Sequence, residues 1–219
     1  MKLIVLAAGD SFAIDGYNKL MIREPKSRKT ILELYQEIFD VSTVEIVVGY
    51  KALELMNTYP EFTYHYNINW QTTGNAFSLA LALTEEPCYV ISSDFILDYR
   101  IANYLQLNEN FAILTQLENR NLAALNARVK NELLHDVYRG KSENNDPELT
   151  GLFKISDPKI LLEWKSRCLS NPELLVGECL PFDKYKIAVN FVPKKLISEI
   201  NVPEDYIKLI LKSGLQDEE

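Results

Sequence analysis

The sequence predicts an α/β fold, a mostly parallel sheet flanked by helices, from three observations. Short apolar runs closed by glycine or a polar turn recur through the first half, helical patterns alternate with them, and the connections are short. Residues 2–8 (KLIVLAA) form a continuous apolar run that reads as a strand buried on both faces and closed at Gly9. The polar stretch that follows is too irregular for a helix. Thr30 then opens one as N-cap, with Glu33 at the capping-box position, and it runs to about Phe39. Residues 43–48 (TVEIVV) form a second strand stopped at Gly49, and 51–57 a short helix that Pro60 prevents from continuing. A third strand spans 62–66. Residues 75–84 (NAFSLALALT) are helical with Asn75 as N-cap, and 88–92 (CYVIS) form a fourth strand ending at Ser93-Asp94. Later strands are expected at 111–115, 123–130 and 186–192, helices at 157–170 and 203–213, and a charged, turn-rich loop at 140–147. A single domain over 1–213 with a frayed tail at 214–219 completes the expectation. In such sheets ligands bind beyond the carboxyl ends of the strands, where Gly9 and Asp94 both lie.

Composition narrows the function. The 219 residues carry 23 Lys and Arg against 31 Asp and Glu, a net charge of −8, which argues against a protein that tracks nucleic-acid phosphates. Cys88, Cys168 and Cys179 have neither CxxC nor CxxH spacing, so free thiols in a reducing cytoplasm fit better than disulfides or zinc. No stretch approaches the ~18 apolar residues of a membrane span. The apolar start ends at a Gly-Asp-Ser turn too soon for a signal peptide. His65 in the third strand reads as structural and His135 as a surface residue.

A strand feeding a tight glycine turn, a polar loop and then a lysine is a way to hold a nucleotide, because backbone N–H groups and one ammonium together neutralise phosphate charge. Leu6, Ala7, Ala8, Gly9 and Lys19 supply those parts. The loop is neither a Walker A sequence nor a G-x-G-x-x-G fingerprint.

These residues carry a resemblance. LAAG, a polar loop and Asn18-Lys19-Leu20 resemble the signature of nucleoside-triphosphate transferases of the sugar-nucleotide pyrophosphorylase type, LAAG-x-G-[ST]-R followed by Pro-Lys. Residues 30–39 (TILELYQEIF) resemble the helix after that loop, 46–51 (IVVGYK) the family's V-x-G-Y-[KR], and 75–79 (NAFSL) the N-x-x-S-L of its choline-phosphate cytidylyltransferase branch. Residues 91–97 (ISSDFIL) occupy the place of the metal-binding G-D, and 199–206 (EINVPEDY) resemble E-I-[DN]-[TS]-x-E-D.

The resemblance implies a nucleotide-diphospho-sugar transferase-like, Rossmann-like fold and attack of an acceptor phosphate or phosphonate oxygen on the α-phosphorus of a nucleoside triphosphate, expelling pyrophosphate. It implies Lys19 as the catalytic cation, with Leu6, Ala7, Ala8, Gly9, Asp10, Ser11, Lys19, Gly49, Asn75 and Ser78 about the nucleotide. Asp94 and Asn201 would hold Mg²⁺, which takes one or two carboxylates plus phosphate oxygens. Trp70, Asp98 and Glu148 are candidates for the acceptor, and Trp70, Tyr66, Phe77, Trp164, Phe182 and Tyr185 for an aromatic cage around a quaternary ammonium. Asn75 and Ser78 also read as helix cap and packing residues, and Asn201 as N-cap of the last helix.

Two departures stand out. The loop's second glycine and arginine are replaced by Asp10-Ser11-Phe12-Ala13, leaving Lys26, Arg28 or Lys141 as substitute cations, and Asn201 stands where many relatives have Asp. The expected reaction is CMP transfer from CTP to a small phosphorylated or phosphonate alcohol, in keeping with the chain's short length, in a cytoplasmic protein of cell-surface polysaccharide synthesis. A homodimer is left open. A sugar-1-phosphate nucleotidylyltransferase using UTP or dTTP, or a catalytically silent nucleotide-binding protein, are the alternatives.

Overall fold

A computed structural model describes residues 1–10, 12–116, 124–143 and 145–215. Six alternating elements open the chain: β1 (Lys2–Ala7), α1 (Ile31–Ile38), β2 (Thr43–Val48), α2 (Ala52–Thr58), β3 (Thr63–Tyr66) and α3 (Asn75–Ala82). Then come β4 (Cys88–Ser92), β5 (Phe95–Leu97), β6 (Phe111–Thr115), β7 (Leu125–Lys130), β8 (Leu133–Arg139), β9 (Glu148–Ile155), α4 (Pro158–Ser170), β10 (Ala188–Phe191), β11 (Ile197–Glu199) and α5 (Pro203–Leu215).

Nine strands form one sheet in the order β3-β2-β1-β4-β9-β6-β10-β8-β7. The parallel character lies in β3-β2-β1-β4, whose helical crossovers force it, and again in β6-β10. Strand β9 enters antiparallel between β4 and β6, and the β7–β8 hairpin adds further antiparallel pairs. A β7–β9 bridge brings the far end of the sheet back on itself, so the second half curls where the first stays open. Strands β8 and β9 lie in stretches without a clean apolar run, and the three-residue β5 and β11 are too short for periodicity to register.

Two apolar clusters cover the two faces. One holds Leu3, Val5, Ile31, Tyr35 and Ile46, the other Ile4, Leu6, Leu79, Val90 and Trp164. Alternation along β1 thus sends successive side chains to opposite layers, as a doubly covered strand requires. The Thr30 capping box is present in both directions, the Thr30 hydroxyl accepting from Glu33 N and the Glu33 carboxylate from Thr30 N. All three cysteines are buried and free. The end of the tail, 216–219, and Ala123, expected to open the strand over 123–130, lie outside the described residues.

Candidate functional site

A cleft opens beyond the carboxyl ends of β1, β2 and β4. Leu6, Ala7, Ala8, Gly9, Asp10, Lys19, Trp70, Asn75, Ser78 and Asp94 all line it, as the sequence reading placed them; Ser11 lies outside the described residues. Gly49 acts differently. A Cβ there would stand 2.5 Å from the Ala8 carbonyl oxygen and 2.7 Å from Trp70 Cβ, so its missing side chain lets β2 close against β1 and seats the indole.

The floor is electrostatic. Lys19 Nζ donates to Asn201 Oδ1 at 3.2 Å and stands 3.9 Å from Asp94 Oδ2. The turn carrying Asp94 is pinned by Tyr35, fully buried on α1, whose hydroxyl donates between the carbonyls of Ser92 (3.0 Å) and Phe95 (2.7 Å), and by Ser93 N to Leu6 O. Strand β11 pairs antiparallel with β5, and Ile200 N donates to Asp94 O at 2.8 Å, which delivers residues 199–201 to the same spot from the far end of the chain. Asn201 is therefore not the cap of α5. The Asp205 carboxylate accepts from Asn201 N and Val202 N, leaving the Asn201 carboxamide to Lys19.

Burial raises the Asp94 carboxyl pKa, against the opposing pull of Lys19, although a quarter of the side chain (24%) stays open to the cleft. Its Oδ1 is buried with no hydrogen-bond partner among the described residues. Sequence reasoning missed Glu199. Its carboxyl pKa is raised by burial and then by the facing Asp94, while its bond to Asn201 and the charge of Lys19 pull the other way. Two carboxylates crowd one ammonium, an arrangement short of positive charge. Among the described residues no three His, Cys, Asp or Glu side chains are grouped as metal ligands, yet the orphaned Asp94 oxygen, the Asn201 carbonyl oxygen and Glu199 are the hard oxygen donors that Mg²⁺ takes.

The α3 side of the cleft also differs in detail from expectation. Gly74, not Asn75, caps α3, and with no side-chain bond. The first turn is served instead by backbone, Ala76 N reaching Leu174 O, while Asn75 Oδ1 accepts from Val176 N at 2.8 Å. Ser78 Oγ accepts from Asn67 Nδ2 at 3.0 Å. With those acceptors occupied, the Asn75 amide N–H groups and the Ser78 hydroxyl hydrogen remain to donate.

Two acceptor candidates are not brought to the cleft. Asp98 takes the Arg100 guanidinium at 2.8 and 2.6 Å and Arg100 N at 2.9 Å, and that partner holds its carboxyl below the usual range. Glu148 opens β9 opposite Thr115 and Asn126, outside the cleft lining. Of the six aromatics proposed for a cage only Trp70 lines the cleft. Trp164 is core, its indole N–H donating to Val176 O, and Phe182 and Tyr185 border a separate hollow beside His135. Trp70 instead joins Tyr50 and Phe12 in an edge-to-face row, with centroids 5.4 and 5.1 Å apart. Lys26, Arg28 and Lys141 do not line the cleft either; Lys51 does.

No protein-family model matches the chain, and no curated protein sequence does. Solved structures do. The CTP:phosphocholine cytidylyltransferase from Streptococcus pneumoniae superposes with a TM-score of 0.75 at 18% identity, covering 95% of this chain and 97% of that one. The chain has a nucleotidyltransferase fold. The inositol-1-phosphate CTP transferase from T. maritima (TM-score 0.74, 17% identity, 96% and 95% covered) shares it. So does the nucleoside-diphosphate-sugar pyrophosphorylase from Vibrio cholerae RC9 (0.73, 14%, 96% and 99%). No helix among the described residues is long and apolar enough to cross a membrane.

Proposed function

We propose that this chain transfers a nucleotidyl group, CMP from CTP, to a small phosphorylated or phosphonate alcohol and releases pyrophosphate. The observation that carries the reading is the floor of the cleft, where Lys19 meets Asp94 and Asn201 at the carboxyl ends of β1 and β4. Such a reaction needs no covalent protein intermediate: an acceptor oxygen bonds to the α-phosphorus as the bond to the β-phosphate's bridging oxygen breaks, and pyrophosphate leaves with that electron pair. The protein aligns two polyanions and offsets the charge that builds up. Lys19 meets the α-phosphate and the departing pyrophosphate, and the Ala8 and Gly9 backbone flanks the nucleotide. Asp94, Asn201 and Glu199 would hold Mg²⁺, which when bound neutralises phosphate oxygens.

The choice of cytosine rests on the α3 side of the cleft. Donors from Asn75 and Ser78 suit cytosine's adjacent N3 and O2 acceptors, whereas uracil places an N–H between its two carbonyls. Two of the similar structures are also CTP enzymes by name. A second reading, a silent nucleotide-binding protein, is favoured by exposed Asp10 on the cleft lining, where its charge opposes a phosphate. Pyrophosphate release measured with CTP, UTP, dTTP, GTP and ATP against a panel of phosphorylated alcohols and sugar 1-phosphates separates them. CTP-dependent release with a small alcohol phosphate is the expected result. Preference for UTP or dTTP with a sugar phosphate, or nucleotide binding with no turnover, replaces the reading.

A further inference from the structure

Any triphosphate that enters this cleft needs more cation than the floor offers, because Lys19 is already shared between Asp94 and Asn201. Besides Lys19, the only Lys or Arg among the described lining residues is Lys51. Two features set it apart. Its backbone is left-handed, at φ +49, which for a residue other than glycine costs roughly 1 kcal/mol or more and persists only where the surroundings impose it. The turn carries the bridge of Gly49 to Lys51, and the Lys51 carbonyl oxygen accepts from Glu54 N as the helix begins. The ammonium makes no hydrogen bond or ion pair with the described residues; it stands 5.8 Å from the centroid of the Tyr50 ring and 3.3 Å from where a Cβ on Gly16 would lie. Gly16 is itself left-handed, at φ +67, which calls for glycine whatever stands opposite, and a Cβ there would meet the Tyr50 hydroxyl at 2.8 Å before the Lys51 ammonium. An exposed lysine held for packing alone would not need the strained turn.

We infer that Lys51 is a phosphate-binding residue that holds the β- and γ-phosphates of the nucleoside triphosphate against the loop, from the wall opposite Lys19. The inference rests on the nucleotidyltransferase reading. It gives the cleft a division of labour, with Lys19 at the reacting phosphorus and the oxygen that leaves it and Lys51 at the outer phosphates, and it supplies from the turn after β2 the charge that the loop itself lacks.

Isothermal titration of wild type, Lys51→Met, Lys51→Arg and Lys19→Met with CTP, CDP and CMP in MgCl₂ tests it. A charge-assisted contact confined to the outer phosphates predicts that Lys51→Met weakens CTP binding by about ten- to a hundredfold. CMP binding stays unchanged, which also certifies an intact site, and Lys51→Arg keeps most of the CTP affinity. Equal losses for CTP and CMP overturn the inference, since Lys51 would then serve the nucleoside or the shape of the cleft. So does unchanged CTP affinity in Lys51→Met beside a loss in Lys19→Met, an outcome that leaves the transferase reading standing. A wild type that binds none of CTP, UTP, dTTP, GTP or ATP overturns both.

Discussion

Two lysines mark the two ends of the parallel strands, and the protein treats them differently. At the amino end Lys2 is 1% exposed; its ammonium donates to Glu45 Oε1 at 3.0 Å and Ala82 O at 2.8 Å, and the other Glu45 oxygen lies 2.7 Å from His65 Nε2. At the carboxyl end Lys19 stands 3.9 Å from Asp94, whose second oxygen has no hydrogen-bond partner among the described residues, with Glu199 pressing a further negative charge on the pair. The first is a closed network that satisfies a buried charge. The second is left open, at a cost to the folded state that a bound cation and polyanion would remove. On the proposed reading, stability is built at one end of the strands and reactivity at the other.

The contrast is broken most sharply by comparing the two lysines. Lys2→Met leaves Glu45 with the His65 ring alone beside it and should cost about 3–5 kcal/mol. For a chain of this size that is a fall in melting temperature of roughly 6–20 °C, read by calorimetry, with turnover per folded molecule unchanged. Lys19→Met should cost less stability, because its pair with Asp94 is looser, at 3.9 Å, and partly open to solvent, and should lower kcat by about 10²–10³-fold in a steady-state assay. Equal losses of stability in the two variants would erase the distinction. Gly49→Ala sits between them. Its Cβ meets the Ala8 carbonyl and Trp70, so the unfolding free energy should drop by about 1–3 kcal/mol and nucleotide affinity should fall with it. The smallest effect has the opposite sign. Glu199→Gln relieves the repulsion from Asp94, and because Glu199 has an exposed edge that solvent screens, the ligand-free protein should gain less than about 1 kcal/mol while turnover declines. A loss of stability there would mean that the carboxylate supports the fold.

Much of this arrangement was legible in the sequence because it is local. The strand of residues 2–8, the capping box at Thr30 and the strand of 43–48 each carry their own signal, and the cleft residues from Leu6 to Asp10 follow from where the first strand stops. What escaped was long-range. Glu199 reaches Asp94 only through the β5–β11 pairing of two three-residue strands a hundred positions apart, and Lys51 reaches the loop only through a left-handed turn beside Gly49. Asn75 has the local signature of a cap, and nothing local reveals that the 172–176 segment supplies backbone partners to that helix. The aromatic count suggested a cage, whereas most of those rings serve the core or other surfaces.

The measurement that tests the central claim most directly is thermal unfolding of wild type and Lys19→Met with CTP, UTP, dTTP, GTP and ATP, each with and without Mg²⁺. A nucleotide at a hundred times its dissociation constant should add ~2.7 kcal/mol, or roughly 5–10 °C for a chain of this size. The account predicts that shift for CTP with Mg²⁺ in the wild type and its loss in Lys19→Met. No shift with any nucleotide, or one that survives the loss of Lys19, would contradict it.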